Sequence, residues 1–373
     1  MVPAARFWYL SWIMRYDKVF RLLILAFALG AVLGLSGGLI FGGDGPGKSA
    51  ASGEVAGDHS EQATSTTGVA VPMTPERAAA IGANEMGLIP VIEYHLIGPS
   101  ESRWTRTPEN LRKDIALLKA EGFYPINLSD LVAGDIDVPA GKTPVVLTFD
   151  DSSPGQFRYL DDGTLDPDSA VGIMQRAAAE GDWASRATFF ILLDVQPDDR
   201  VVFGQPESRK EKLQQLVSWG YEVGSHTVTH LNLKKATREE ATKQLAVSKA
   251  TLEDYVGGGY QVNTISIPFG EYPEDDALLA SGQHEGQTYA YRGAVEVAGG
   301  PAPSPFSTRF KPLHIPRIEV TGTALSDMIR TFKDSPGLRY VSDGDATAIS
   351  APGDLAERLG SVLPDLGRPV VTY

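Results

Sequence analysis

Between residues 88 and 320, short apolar runs alternate with stretches of helical pattern. Residues 88–95, 143–149, 187–193, 221–226, 264–268, 289–297 and 315–320 read as strands, being short, rich in β-branched and aromatic residues, and bounded by Gly, Pro or polar clusters. Helices fit between them. Thr107-Pro108-Glu109-Asn110 opens one, with a hydroxyl N-cap, proline in the first turn and an acid beside it, and Leu111, Ile115 and Leu118 then share a face. Residues 169–180, 207–219 and 323–333 carry the same period, and Thr237-Arg238-Glu239-Glu240 has the form of a capping box. Strand–helix alternation at this length specifies a parallel sheet, because each helix carries the chain back to the same edge. The fold class is therefore α/β, and seven or so such units predict a (β/α) barrel.

One strand carries more information than the rest. Thr143-Pro144-Val145-Val146-Leu147-Thr148-Phe149 is apolar on both faces and runs directly into Asp150 and Asp151. A strand covered on both sides suits a parallel sheet, and the carboxyl ends of such strands are where α/β folds bind ligands. Two adjacent acids point in different directions and can hold two different tasks.

The second signal is Gly224-Ser225-His226-Thr227-Val228-Thr229-His230, which follows another strand and so lies at the same end of the sheet. Two histidines four apart predict a helical turn with both imidazoles on one face. Imidazole nitrogen suits zinc and other borderline ions, and two His with one carboxylate leave a position for water. The chain has no cysteine, which excludes disulfides and thiolate metal sites. No glycine-rich phosphate loop occurs, so a nucleotide cofactor has no support. A formal charge of −14 over 373 residues argues against nucleic acid as a partner.

The N-terminal region has a different character. Arg6, Arg15, Lys18 and Arg21 precede residues 22–41, which contain no charge. As a helix this run would span about 30 Å, one hydrocarbon core. Basic residues before it and acidic ones after it predict an uncleaved signal anchor with the rest of the chain outside. Residues 42–85 lack aromatics and are rich in Gly, Ala, Ser and Thr, the composition of a flexible linker. The expected organisation is a cytoplasmic segment at 1–21, an anchor at 22–41, a linker at 42–85 and a folded domain at 86–373. That domain ends in a helix followed by a Pro/Gly-rich tail.

T-F-D-D after one strand and H-T-x-x-H after a later one resemble the polysaccharide deacetylases, carbohydrate esterase family 4, also described as the NodB homology domain. The resemblance covers residues 88–320. The opening I-P-V-I-E-Y-H-L and the following T-P-E-N-L resemble the branch that acts on extracellular poly-N-acetylglucosamine. It implies a distorted (β/α) barrel of about seven strands. It also implies a metal-dependent hydrolase that removes N-acetyl groups from an amino-sugar polysaccharide and releases acetate. Carried over, Asp150 is the general base, while Asp151, His226 and His230 hold the metal. Zn²⁺ is the first choice, and Co²⁺, Ni²⁺ or Fe²⁺ are admitted by the same donors.

Two departures from the family pattern matter. The usual R-x-P-[YF]-G is Ser266-Ile267-Pro268-Phe269-Gly270, so the arginine that orients the base is missing from that place. Arg317, on the last strand, is the candidate replacement. The motif that supplies a general-acid histidine is matched only loosely, by Leu313-His314, and the Asp–Trp motif is absent. Tyr94, His95 and Phe269 are candidate substrate contacts. Two other readings stand beside this one: a non-catalytic glycan-binding relative, and a metal-dependent amidase acting on a small molecule.

Overall fold

The computed structural model describes residues 72–373, apart from Leu355 and Asp365. The candidate anchor lies outside the described residues, as does most of the candidate linker. No helix among the described residues is long and apolar enough to cross a membrane.

Eight parallel strands form the central sheet: β1 (Val91–Tyr94), β2 (Phe123–Ile126), β3 (Thr143–Phe149), β4 (Thr188–Ile191), β5 (Glu222–Ser225), β6 (Thr264–Ser266), β7 (Gly293–Gly299) and β8 (Ile315–Glu319). Seven of them close a ring in the order β1-β8-β7-β6-β5-β4-β3, sealed where β1 pairs with β3 in register Tyr94 to Phe149. The eighth, β2, pairs with the first half of β3. It was not read as a strand in the sequence, and its Pro125 is tolerated because the strand lies at the edge of the sheet. Between strands run α1 (Pro108–Ala120), α2 (Ala170–Ala179), α3 (Arg209–Ser218) and α4 (Arg238–Val256), and α5 (Ala324–Asp334) follows β8.

The local signals act as expected at most helix ends. The Thr107 hydroxyl accepts from the Asn110 amide at 3.3 Å, and Thr237 forms the full box with Glu240. Leu111, Ile115 and Leu118 on α1 are buried against the barrel, each side chain contributing roughly 1.5–3 kcal/mol from lost hydration. Side-chain parity divides the barrel strands. Ile92, Tyr94, Val145, Leu147, Phe149 and Ile318 pack outward with the helices, whereas Val91, Val146, Phe190, Val295 and Ile315 belong to a separate interior core. Gly224 leaves room for that interior: a Cβ there would lie 2.6 Å from the Phe190 ring.

Three boundaries differ from expectation. Residues 75–85 were assigned to the linker, but Pro75–Ile81 is a helix capped by Thr74, with Met73, Ala78 and Ala83 buried against Ala348. The run 289–297 is not one strand. Gln287–Tyr289 pairs back on Gly282–His284 as a hairpin, and the barrel strand starts at Gly293. The C-terminal tail contains a parallel pair, Ile349–Ala351 with Val370–Thr372, and the Tyr373 hydroxyl donates to the Ala83 carbonyl at 2.8 Å.

Candidate active site

Parity along the strands also selects what enters the barrel mouth. On β3 the inward positions run Val146, Thr148, Asp150, from apolar to charged, as the strand leaves the core. On β1 they run Val91, Glu93 and then His95 just past the strand. On β8 they are Ile315 and Arg317, and on β6 the last is Ser266. Four strands thus deliver Glu93, Asp150, Ser266 and Arg317 to one buried layer.

Both oxygens of Asp150 are hydrogen-bonded within this layer, whereas Glu93 Oε2 has no hydrogen-bond partner among the described residues. Arg317 grips Asp150 with both ends of the guanidinium, Nη1 donating to Oδ1 and Nη2 to Oδ2, each at 2.8 Å. The Ser266 hydroxyl donates to the same Oδ2 at 2.8 Å. Arg317 Nη2 also reaches Glu93 Oε1 at 2.7 Å, Nη1 reaches the Thr148 hydroxyl at 3.0 Å, and Nε donates to the Glu296 carbonyl at 2.5 Å. Burial alone would raise the Asp150 carboxyl, but the charge and hydrogen bonds of Arg317 outweigh it and hold the group well below the usual carboxylate range. Glu93 shares the cation without winning it: burial pushes its carboxyl up to about 8, against the pull of Arg317 and with Asp150 adding to the rise. Ser266 therefore replaces the motif arginine as a hydroxyl donor, and Arg317 supplies the guanidinium from another strand.

Beside this clamp, Asp151, His226 and His230 offer ligand atoms within 4.8 Å of one another. The two Nε2 atoms each lie 3.5 Å from Asp151 Oδ1. His226 Nδ1 faces the Ser266 carbonyl at 2.8 Å. A carbonyl only accepts, so Nδ1 carries a proton, and Nε2 is the atom that faces Asp151; burial would lower this imidazole, but Asp151 and Asp150 outweigh it and raise its pKa. Burial and the neighbouring His226 lower His230 to about 4, which keeps that ring neutral. Asp151 Oδ1 is buried and has no hydrogen-bond donor among the described residues. That oxygen is ion-paired with Arg200, and with two imidazole nitrogens facing it the group is still a donor set for a divalent cation, which these residues fit. Glu93, His95 and Asp150 also converge within 4.8 Å, but Arg317 already compensates their charge.

The two imidazoles do not meet through a helical turn, as the spacing had suggested. Residues 226–230 form a bend in which Thr227 and His230 adopt φ of 65° and 56°. Asp151 and Phe269 are left-handed too, at 74° and 62°. Each costs of order 1–3 kcal/mol for a residue with a side chain, and such strain collects where geometry serves a site.

The cleft above these groups has a volume of about 600 Å³ and is lined by His95, Trp104, Arg200 and Phe269 as well as the acids and imidazoles. Trp104 and Phe269 are 39% and 61% exposed. The Trp104 ring lies 4.7 Å from His95, and Phe269 lies 4.4 Å from His230. Gln156 ties the strand ends together, donating to the carbonyls of Asp150 at 2.5 Å and His95 at 2.7 Å. Its neighbour Gly155 allows this close approach, since a Cβ there would sit 1.9 Å from the Ile97 carbonyl oxygen.

Two candidates from the sequence do not reach the cleft, Tyr94 for reasons of parity and His314 because it lies before β8 rather than at its carboxyl end. Tyr94 follows inward Glu93 and so points outward, stacked on Phe149 at 5.2 Å with its hydroxyl on Asp114 at 3.2 Å. His314 precedes inward Ile315. It stacks on Tyr272 at 4.3 Å and bridges Glu296 at 3.1 Å and Asp276 at 2.7 Å. His95 is the imidazole that lines the cleft outside the Asp151 group. Glu93, Gln156, Ser266 and Arg200 were not assigned roles from the sequence. Two of them left a trace there: Glu93 as an acid inside an otherwise apolar strand, and Ser266 as the residue standing where the motif arginine was expected.

Fold and site together define a closed parallel barrel with an acid-and-imidazole centre at its C-terminal mouth. In sequence, residues 137–287 match the family model described as polysaccharide deacetylase. No curated protein matches the chain. Among solved structures it is similar to the Streptococcus pyogenes deacetylase PplD in complex with acetate (20% identity, 65% of this chain and 97% of that chain, TM-score 0.47). It is also similar to the Bacillus cereus polysaccharide deacetylase BC0361 (23%, 65% and 69%, TM-score 0.48) and to IcaB from Ammonifex degensii (18%, 65% and 96%, TM-score 0.47).

Proposed function

We propose that this chain is a metal-dependent hydrolase that removes N-acetyl groups from an extracytoplasmic amino-sugar polysaccharide. The observation that carries the proposal is the juxtaposition of an arginine-clamped aspartate with an Asp-His-His donor set at one barrel mouth. A divalent ion held by Asp151, His226 and His230, zinc being the first choice, supplies Lewis acidity that makes water nucleophilic near neutral pH.

The chain's own residues do the rest. Asp150, kept ionised by Arg317, accepts the proton of the attacking water. Its depressed pKa makes it a weak base but one that is always unprotonated, and the clamp fixes which way its free lone pairs point. The role that the resemblance gave to His314, protonating the departing nitrogen, falls in this reading to His95, which lines the cleft and whose pKa burial lowers. The amide C–N bond breaks, a C–O bond forms, and the products are acetate and a free amine. Trp104 and Phe269, one on each side, offer apolar faces to a sugar ring.

A non-catalytic glycan-binding relative was worth weighing because Ser266 replaces the orienting arginine; the Arg317 clamp removes that reason. An extracytoplasmic setting rests on the basic-then-apolar N-terminal sequence, and protection of the domain from protease in sealed cytoplasm-side-out vesicles would support it. The test of the activity is acetate release from N-acetylglucosamine oligomers, peptidoglycan fragments and poly-N-acetylglucosamine, with and without chelator. Release that chelation abolishes, and that Asp150→Asn lowers by about 10²–10⁴-fold while zinc binding persists, is the expected result. Binding of any of these glycans with no acetate released would favour the binding-module reading instead.

A further inference from the structure

Arg200 stands where a metal-binding protein would not be expected to put a cation. It lies in the segment between β4 and α3, on the 3₁₀ turn Asp198–Arg200, and lines the cleft. Its Nη2 forms an ion pair with Asp151 Oδ1, the same oxygen that both imidazole nitrogens face at 3.5 Å. The pairing is electrostatic rather than an aligned hydrogen bond, since that oxygen has no donor, and Arg200 Nε is itself buried without a partner among the described residues. The guanidinium has no second carboxylate within ion-pair reach among the described residues. The backbone holds it there: the Ser152 hydroxyl, one residue beyond Asp151, donates to the Arg200 carbonyl at 2.7 Å and accepts from the Leu192 amide at 3.0 Å. The arginine and the carboxylate are thus fastened to one another through both side chain and main chain.

We infer that Arg200 is a fixed counterweight to the metal, one that lowers the affinity of the Asp151, His226 and His230 set and makes its ion exchangeable. The inference rests on the metal reading of that set. Two like charges a few ångströms apart repel, the more strongly the less solvent reaches them, and a divalent ion doubles the charge product. The guanidinium also stabilises Asp151 when no metal neutralises it, so the folded protein does not depend on the ion. The site is built to stay intact through metal loss and to bind metal only at ordinary, not scarce, concentrations. A second effect has the same sign: a cation beside the ion favours the deprotonated state of nearby water.

The experiment measures zinc binding by the purified chain in competition with a chromophoric chelator, with no turnover required. Arg200→Gln is expected to bind zinc tenfold or more tightly than wild type, and Arg200→Met likewise, while Arg200→Lys, which keeps the charge, stays within about threefold. In metal-free buffer the Gln and Met variants should melt below wild type, and zinc should raise their melting temperatures by more than it raises that of wild type. Wild-type affinity, or weaker, in both neutral variants overturns the inference. A wild-type chain that binds no zinc, or binds it undiminished after Asp151→Asn, overturns instead the metal reading beneath it.

Discussion

Two groups of buried carboxylates sit at opposite ends of this barrel, and they solve the same problem differently. At the mouth, Glu93 and Asp150 share Arg317, whose guanidinium is fully buried between them. At the other end, ahead of β1, Glu85 lies beside Asp343 with no basic side chain among its hydrogen-bond partners. Its oxygens accept from the Ser350 amide at 2.9 Å, the Tyr340 hydroxyl at 3.2 Å and the Asp343 amide at 3.4 Å. Burial, with the Asp343 charge adding to it, pushes the Glu85 carboxyl up to about 8. Dipolar donors alone leave a buried acid protonated at neutral pH, whereas a bidentate cation keeps its neighbour charged. The first arrangement tethers chain segments; the second suits the base that the proposed reaction needs.

Removing the cation should convert the mouth into something like the base of the barrel. Arg317→Met is expected to cost about 3–5 kcal/mol of stability, because Asp150 is left as an uncompensated buried charge. Deacetylation should fall by at least about 10²-fold, with the acid limb of kcat against pH moving upward as Asp150 loses its partner. A melting temperature and pH profile like those of wild type would mean that the clamp is not what keeps Asp150 ionised.

The reverse change at the base is smaller and opposite in sign. Glu85 has a raised pKa in the folded state. Its contribution is therefore fully present below about 4.5, where folded and unfolded chains both hold the proton, and is lost as pH rises toward about 8. Unfolding free energy should decline over that interval by up to about 1.4 kcal/mol per pH unit from this group. Glu85→Gln should flatten this decline and stabilise the protein at pH 8, its amide oxygen taking the Ser350 N–H. Denaturant melts between pH 5 and 8 measure it, and an unchanged slope would count against a proton on Glu85.

The finest distinction is between two histidines. His95→Gln should lower turnover by about 10²-fold or more with zinc affinity retained, as expected for a proton donor. His314→Gln should leave turnover within about twofold, since His314 faces Glu296 and Asp276 outside the cleft. Equal losses in both would restore the sequence-based choice of His314.

These pairs show what could be read from sequence. The strand–helix alternation, the paired acids after β3 and the two histidines after β5 are local patterns, and each arises where a strand meets solvent. His314 stands at the amino end of β8, away from the mouth, and the position of Tyr94 was misjudged for want of one piece of information, the inward or outward phase of a strand. That phase is set by pairing partners far away in sequence, and a shift of one residue reverses it. Arg317 could be named as a candidate because it lies on a strand near the right end. Its grip on Asp150 could not, since 167 residues separate the two and the ring must close before they meet. Arg200 gave no signal at all: it lies in a polar segment whose path has no periodicity to read.

That closure has a consequence for when the protein can act. Glu93 comes from the first strand of the ring, Asp150 and Ser266 from two in between, and Arg317 from the last. A chain that has folded only its first six strands holds the acids and imidazoles but not the guanidinium that keeps its base charged and aimed. On the proposed mechanism, chemical competence would therefore arrive with the final strand, and the barrel would serve as its own inspection: nothing short of the finished ring brings Glu93, Asp150, Ser266 and Arg317 together.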